Sequence, residues 1–311
     1  MINNLFIFVV ALFFVIKGAT HATSYAARVA ESYHLSKYTV GFIIVAIISI
    51  LPETLISINA AIEGVPSFGL GMLFGSNIAD LTLIFAILIF AAGRGLQIES
   101  KILKNHAVYP FLLSLPLVLG FNGHFSRIDG LALIITGVVF YYVALKNGID
   151  GTVMPMNDNI NKRYRNFLMM LFSMGVLLAG AHFTVISAMS LANFIGISPI
   201  LIGMLIVGLG TTMPELFFSL KSVKKRDDSL AIGDILGTVL ADATVVVGIL
   251  ALINPFYFPK KIIYITGMFM VTASLILFYF MRTGRFISRK EAYMLVAFWL
   301  TFVMVEFLAN T

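Results

Sequence analysis

The sequence predicts an all-α membrane protein: ten transmembrane helices arranged as two inverted five-helix repeats, with both termini outside. Three observations predict it: ten long apolar runs, an internal repeat at one fixed offset, and the one-sided placement of lysine and arginine. The chain is 59% hydrophobic and only 12% charged over 311 residues, which is not the balance of a water-soluble domain.

The apolar runs cover about 4–27, 38–62, 68–92, 107–122, 128–146, 166–192, 199–221, 230–254, 262–281 and 289–309. A helix of about 20 such residues spans the hydrocarbon core. The fourth run is short and holds Pro110 and Pro116. Met1-Ile-Asn-Asn lacks the basic segment of a cleavable signal, so the first run is expected to remain as a span. The longest polar break is rich in Asn, Gly and Asp. It divides the chain into a first repeat over 1–146, a cytoplasmic linker over 147–165 and a second repeat over 166–311.

Basic residues set the orientation, because loops on the inner side of a membrane accumulate them. With the N-terminus outside, the inner loops carry Arg28 and Lys37; Arg94, Lys101 and Lys104; Lys146, Lys162, Arg163 and Arg165; Lys221, Lys224, Lys225 and Arg226; and Arg282, Arg285, Arg289 and Lys290. The outer loops carry only Arg127, Lys260 and Lys261, and Lys17 lies within the first span. Both termini are therefore expected outside.

An offset of 162 residues maps one half onto the other without a gap over more than sixty positions. Gly18 falls on Gly180, Ser36 on Ser198 and Gly41 on Gly203. Pro52-Glu53 falls on Pro214-Glu215, Ser57 on Ser219, Gly71 on Gly233, Gly75 on Gly237, and Ala79-Asp80 on Ala241-Asp242. Five spans per repeat is an odd number, so the second copy must be upside down. Inverted repeats with interrupted helices at mid-membrane mark secondary transporters.

The chemistry lies in two doubled motifs. Ser49-Ile-Leu-Pro-Glu53 and Gly210-Thr-Thr-Met-Pro-Glu215 each set a carboxylate directly after a proline inside an apolar run. A charge there costs roughly 2.5–3.5 kcal/mol on insertion scales, so it is kept for a purpose. The proline removes an N–H and frees a carbonyl one turn earlier, at Ile48 and Gly210. The next run of each half holds G-M-L-F-G-S-N-I-A-D, Gly71 to Asp80, or G-D-I-L-G-T-V-L-A-D, Gly233 to Asp242. Ser76 and Asp80 are four apart on one helix face, as are Thr238 and Asp242, and Ser49 and Glu53. Glycines at 71, 75, 233 and 237 permit close helix approach.

If the repeats pack face to face, Glu53, Asp80, Glu215 and Asp242 meet, ringed by hydroxyls of Ser49, Ser76, Thr211, Thr212 and Thr238. Four such charges must be neutralised by bound cations or by protons. Hard oxygen ligands of this kind suit Na+, Ca2+ or a proton. That is the chemistry of a cation antiporter, in which one ion leaves and a competitor replaces it before the empty site reorients. With no cysteine, thiolate chemistry and Cys-ligated zinc are excluded. The basic charge is spread over loops, which argues against nucleic acid as a partner. No cofactor is expected; the partners are inorganic cations and the lipid bilayer.

The doubled G-x-G-[TS]-[TS]-x-P-E and G-[ND]-x-x-G-[ST]-x-x-x-[ND] motifs resemble the alpha repeats of the cation/calcium exchanger superfamily, with the prokaryotic sodium/calcium exchangers nearest in shape. The resemblance covers nearly the whole chain. It implies a multi-pass protein of the cell membrane that acts as a monomer and exchanges Ca2+ against Na+ by alternating access. It also implies long, sliding first and sixth helices on a rigid core of the other eight. Glu53 and Glu215 match the two calcium-binding glutamates, and Ser49 and Thr211 the hydroxyls beside them. Ala46 and Gly208 match positions that offer backbone carbonyls to sodium. Ser76, Thr212, Thr238 and Asp242 match further cation ligands.

Departures from the pattern bear on the counter-ion. Ile50 replaces a hydroxyl that its mate Thr212 keeps, and Ile48 replaces a glycine, so one sodium position should be weakened. Asp80 stands where many sodium/calcium exchangers have asparagine, adding a titratable acid. A proton-linked or otherwise altered divalent-cation exchanger is therefore the alternative. An intramembrane aspartyl protease would use Asp80 with Asp242, but the Tyr-Asp and Gly-x-Gly-Asp contexts are missing and two glutamates would go unexplained. A channel is disfavoured by the inverted repeat. Among lone polar residues, Lys17 reads as a snorkelling cation and His182 as a hydrogen-bonded packing residue. Glu63 and Asp234 read as solvated residues at helix mouths, and Lys221 to Arg226 as a solvated inner loop.

Overall fold

The computed structural model describes residues 2–30, 49–98, 108–148 and 160–310. The described chain is almost wholly helical. Eight helices are long and apolar enough to cross a membrane, and two shorter apolar helices, Leu51–Ile62 and Val108–Asn122, accompany them. In chain order they are α1 (Ile2–Ala30), α2 (Leu51–Ile62), α3 (Pro66–Ala92), α4 (Val108–Asn122), α5 (Arg127–Gly148), α6 (Ile160–Ile195), α7 (Pro199–Lys224), α8 (Asp228–Ile253), α9 (Ile262–Gly284) and α10 (Arg289–Asn310). The part of the second expected span ahead of Ser49, with Ile48 and Ala46, and the middle of the expected linker lie outside the described residues.

Burial separates the helices into a centre and a periphery. The spans of α3 and α8 are 83% buried and that of α7 72%, against 22% to 35% for α1, α5, α6 and α10. The peripheral helices turn Phe6, Phe172, Tyr142 and Leu308 outward. A protein apolar on the outside as well as within is what a bilayer demands, since lipid tails solvate Phe and Leu as readily as a core does.

Local structure repeats at the sequence offset. Leu51–Ile62 corresponds to Met213–Lys224, and Pro66–Ala79 to Asp228–Ala241, each bound 162 residues after its counterpart. In both halves a single π-helical turn begins at the aspartate, Asp80–Ile84 and Asp242–Val246. Such turns insert one residue into the helix ladder and recur at functional sites. Two short antiparallel ribbons tie the halves together. One pairs β1 (Leu96–Gln97) with β4 (Phe286–Ile287), the other β2 (His124–Phe125) with β3 (Phe256–Tyr257).

The two longest helices, α1 and α6, lie against each other. Gly18 packs on Ser173 and Leu177 of α6, while Gly180 packs on Ala11 and Val15 of α1. These are the same positions counted from either half, and the order of contacts makes the helices antiparallel. A methyl group at Gly18 or Gly180 would sit about 3.0 Å from the facing backbone, so hydrogen sets the spacing.

Candidate cation site

In α7 the Pro-Glu segment breaks the helix rather than merely bending it. The α7 helix stops at Thr211 and restarts at Met213, with Thr212 between. Pro214 thus falls in the first turn of the new segment, where its missing N–H is not needed. Pro52 takes the same place at the start of α2. Each proline thereby puts its glutamate, Glu53 or Glu215, in the first turn of a helix. Unpaired N–H groups and the positive end of the helix dipole favour a carboxylate there. Ile50 and Thr212, which precede the two segments, share nearly one backbone geometry, φ −71°, ψ −5° and φ −74°, ψ −4°.

These first turns face α3 and α8. Glu53, Asp80, Glu215 and Asp242 are all buried, and so are Ser49, Ser76, Thr211, Thr212 and Thr238. The turn that begins at Asp80 packs on α8, and the turn that begins at Asp242 packs on α2 and α3. Most of the acidic oxygens have no hydrogen-bond partner: both of Asp80, both of Glu215, both of Asp242 and one of Glu53. A buried carboxylate normally collects donors, because leaving it bare costs several kcal/mol. A cluster of bare acidic oxygens fits a cation.

The hydroxyls are turned to suit the same ligand. Thr211 donates to Gly208 O at 2.9 Å, Thr212 to Leu209 O at 3.0 Å and Ser76 to Leu73 O at 3.0 Å. A hydroxyl whose hydrogen goes back to the helix offers only lone pairs outward. Thr238 Oγ1 has no partner. Among the described residues, no three Asp, Glu or His side chains converge tightly enough to cage a metal by themselves. An ion held here would need hydroxyl or backbone oxygens as well, which Na+ and Ca2+ accept.

Close packing brings the two halves to this point. Gly208 is buried against Ser76 N and Met72 O of α3. Gly75 faces the Met204 carbonyl of α7, where a Cβ would come within 2.3 Å. Tyr109 of α4 donates to Leu236 O at 2.6 Å and Tyr141 of α5 to Gly237 O at 2.5 Å, pinning α8 just before Thr238.

The family model described as sodium/calcium exchanger protein matches residues 3–146 and again 165–308. The chain belongs to this sodium/calcium exchanger family. The exchanger is thus a transporter and not an enzyme, and it is a multi-pass protein of the cell membrane. Curated relatives include the sodium/calcium exchanger MaX1 of Methanosarcina acetivorans, 23% identical over 98% of both chains. The membrane protein MJ0091 of Methanocaldococcus jannaschii is 30% identical over 69% of this exchanger and 70% of its own length. Among solved structures, the sodium-calcium exchanger NCX_Mj has the same fold, with a TM-score of 0.72 at 24% identity over 97% of each chain.

Two expectations are corrected in this exchanger. Asp234 is not a solvated mouth residue: it is fully buried, six residues inside α8, and accepts the Ser49 hydroxyl at 3.2 Å. It occupies the second position of the G-D-I-L-G-T motif, where the offset puts Met72 in the other half. That mismatch was the available signal. Glu306 of α10, a buried acid outside the motifs, accepts the Thr266 hydroxyl at 2.5 Å. The segment Lys221 to Arg226, expected as a loop, is helical as far as Lys224. Lys17 lies exposed over the Phe13 ring, Glu63 is exposed, and His182 Nδ1 meets Asn59 Oδ1 at 3.3 Å.

Proposed function

We propose that this exchanger is a secondary active antiporter that moves Ca2+ against Na+ by alternating access. Its ion site is formed by Glu53, Glu215, Asp80 and Asp242, with the hydroxyls of Ser49, Ser76, Thr211, Thr212 and Thr238 and the carbonyls of Ala46 and Gly208. The observation that carries this is the set of buried, partnerless carboxylate oxygens drawn from both halves of the chain. Ten helices in two inverted repeats, 1–146 and 166–311 with a cytoplasmic linker over 147–165, put both termini outside. The reciprocal packing of Gly18 and Gly180 supports that two-fold relation.

The cycle follows from charge. A site of four bare carboxylates surrounded by apolar side chains is held in place by its own electrostatic cost. A divalent ion, or sodium ions in its stead, removes most of that cost and lets α1 and α6 slide across the core, so the site changes sides only when filled. The reading extends to a monomer as the working unit. A proton-linked version is the second reading, and Asp80 favours it: a divalent ion neutralises two of four acids, which leaves work for protons.

Uptake of radioactive calcium into vesicles, driven in turn by a sodium or a proton gradient, tests both. Calcium entering only against sodium supports the first reading. Calcium entering only against protons supports the second. Entry without any gradient dependence rules out an antiporter.

A further inference from the structure

Asp234 is a buried acid inside the second copy of the doubled motif with no acid at the matching place in the first. Its mate by the repeat offset is Met72. Asp234 belongs to the second half, yet its Oδ1 accepts the hydroxyl of Ser49 from the first half at 3.2 Å. Ser219, the mate of Ser57, donates to Ala231 O at 3.3 Å. Asp234 Oδ2 is buried with no partner. Ser49, Asp234 and Ser219 are each at most 1% exposed.

A serine hydroxyl has one hydrogen and two lone pairs. When the hydrogen is committed to a carboxylate, the bond is charge-assisted and both lone pairs are left for another ligand. Thr211, the mate of Ser49, commits its hydrogen differently, to the neutral carbonyl of Gly208 on its own helix. The backbone carbonyl of Met72 lies beside Gly208, and by the repeat offset Met72 holds the place of Asp234 in the sequence. The two hydroxyls are equivalent by sequence position but not by chemistry. An oxygen whose proton is drawn off by a carboxylate carries more negative charge and binds a hard cation more strongly.

We propose that Asp234 is a positioning residue for transport: it accepts the hydrogen bond of the Ser49 hydroxyl across the two halves and leaves the lone pairs of the Ser49 oxygen aimed at the ion. The two sides of the ion site are thereby unequal, with the tighter hydroxyl ligand on the Ser49 side. The inference rests on the reading of Ser49 as a cation ligand. Asp234 acts through that ligand rather than by touching the ion.

The test is a double-mutant cycle read as the half-saturating Ca2+ concentration of gradient-driven uptake in vesicles. Binding by the purified protein, read as the Ca2+-dependent rise in melting temperature, is measured alongside. Ser49→Ala and Asp234→Met are each expected to raise the half-saturating concentration about tenfold, and the double variant no more than either alone. Thr211→Ala combined with Asp234→Met should instead multiply the two effects. Asp234→Asn keeps an acceptor oxygen without its charge and should fall between the parent and Asp234→Met. Effects of Ser49→Ala and Asp234→Met that multiply would overturn the positioning role while leaving the ion site intact. So would an Asp234→Asn variant as damaged as Asp234→Met. A Ser49→Ala variant with unchanged Ca2+ dependence would remove Ser49 from the ion site, and the inference with it.

Discussion

Arg94 forks onto Asp228, its two terminal nitrogens lying 2.6 and 2.7 Å from the two carboxylate oxygens. Asp228 also accepts the Gln97 N–H at 3.0 Å. The pair joins the end of α3 to the start of α8, and so one half of the molecule to the other. Asp228 is buried and Arg94 about a third exposed, so solvent screens the pair only in part. Asp228→Ala should cost on the order of 2 kcal/mol, read as a lower melting temperature in detergent. Arg94→Lys keeps the charge without the fork and should fall between. An Asp228→Ala protein that melts with the parent would show that the ribbons alone hold this end.

The central glutamates should be indispensable. Glu53→Gln or Glu215→Gln keeps size and removes one negative ligand, worth about 3 kcal/mol or on the order of 100-fold in ion affinity. Calcium uptake should fall to background while the protein still inserts and elutes as a folded species. Near-normal uptake by either variant would sink the four-acid site.

Topology is open to direct chemistry because the parent has no cysteine. Lys225 is exposed in the turn after α7. A Lys225→Cys protein in intact cells should resist an impermeant thiol reagent and react only after the membrane is opened. A cysteine near the C-terminus should label at once. The reverse pattern would turn the whole molecule over.

Ile50 and Asp80 bear on the counter-ion. The backbone at Ile50 is nearly that of Thr212, so Ile50→Ser can place a hydroxyl without rebuilding the turn. It should raise the sodium cooperativity of calcium transport, because sodium needs a near-complete oxygen shell. Asp80→Asn removes an acid that protons can occupy in competition with the ion, and should flatten the fall of transport at low pH. Initial calcium flux against sodium at several pH values checks both. If the parent already shows three-sodium cooperativity and no pH dependence beyond that of Asp80→Asn, the two departures have no bearing on the ion set.

Gly75 marks the tightest approach of α3 to α7. A methyl group there would lie 2.3 Å from a backbone oxygen, which cannot rotate away. Gly75→Ala should cost about 1–3 kcal/mol of stability and displace Ser76 and Asp80 together. We expect a lower melting temperature and a weaker calcium affinity in the same protein. A variant that loses neither would mean α3 and α7 can part freely.

Much was legible in the chain itself, for physical reasons that act locally. A bilayer demands about twenty apolar residues per span, so the positions of most helices follow from counting. Proline must start a helix segment or break one, so Pro52 and Pro214 located the interruptions. The doubled Glu53/Glu215 and Asp80/Asp242 stand out because a charge inside an apolar run is costly. What the chain could not reveal is how the halves interlock. Asp234 looked like a helix-end acid, because its six-residue distance from Asp228 says nothing of what packs over it. Only the tertiary structure brings Ser49 to it across 185 positions of sequence. The same holds for Tyr109 and Tyr141, two ordinary aromatics until α8 presents the carbonyls of Leu236 and Gly237. Periodicity and transfer energy are properties of a segment, whereas hydrogen-bond partners between segments exist only once the helices have packed.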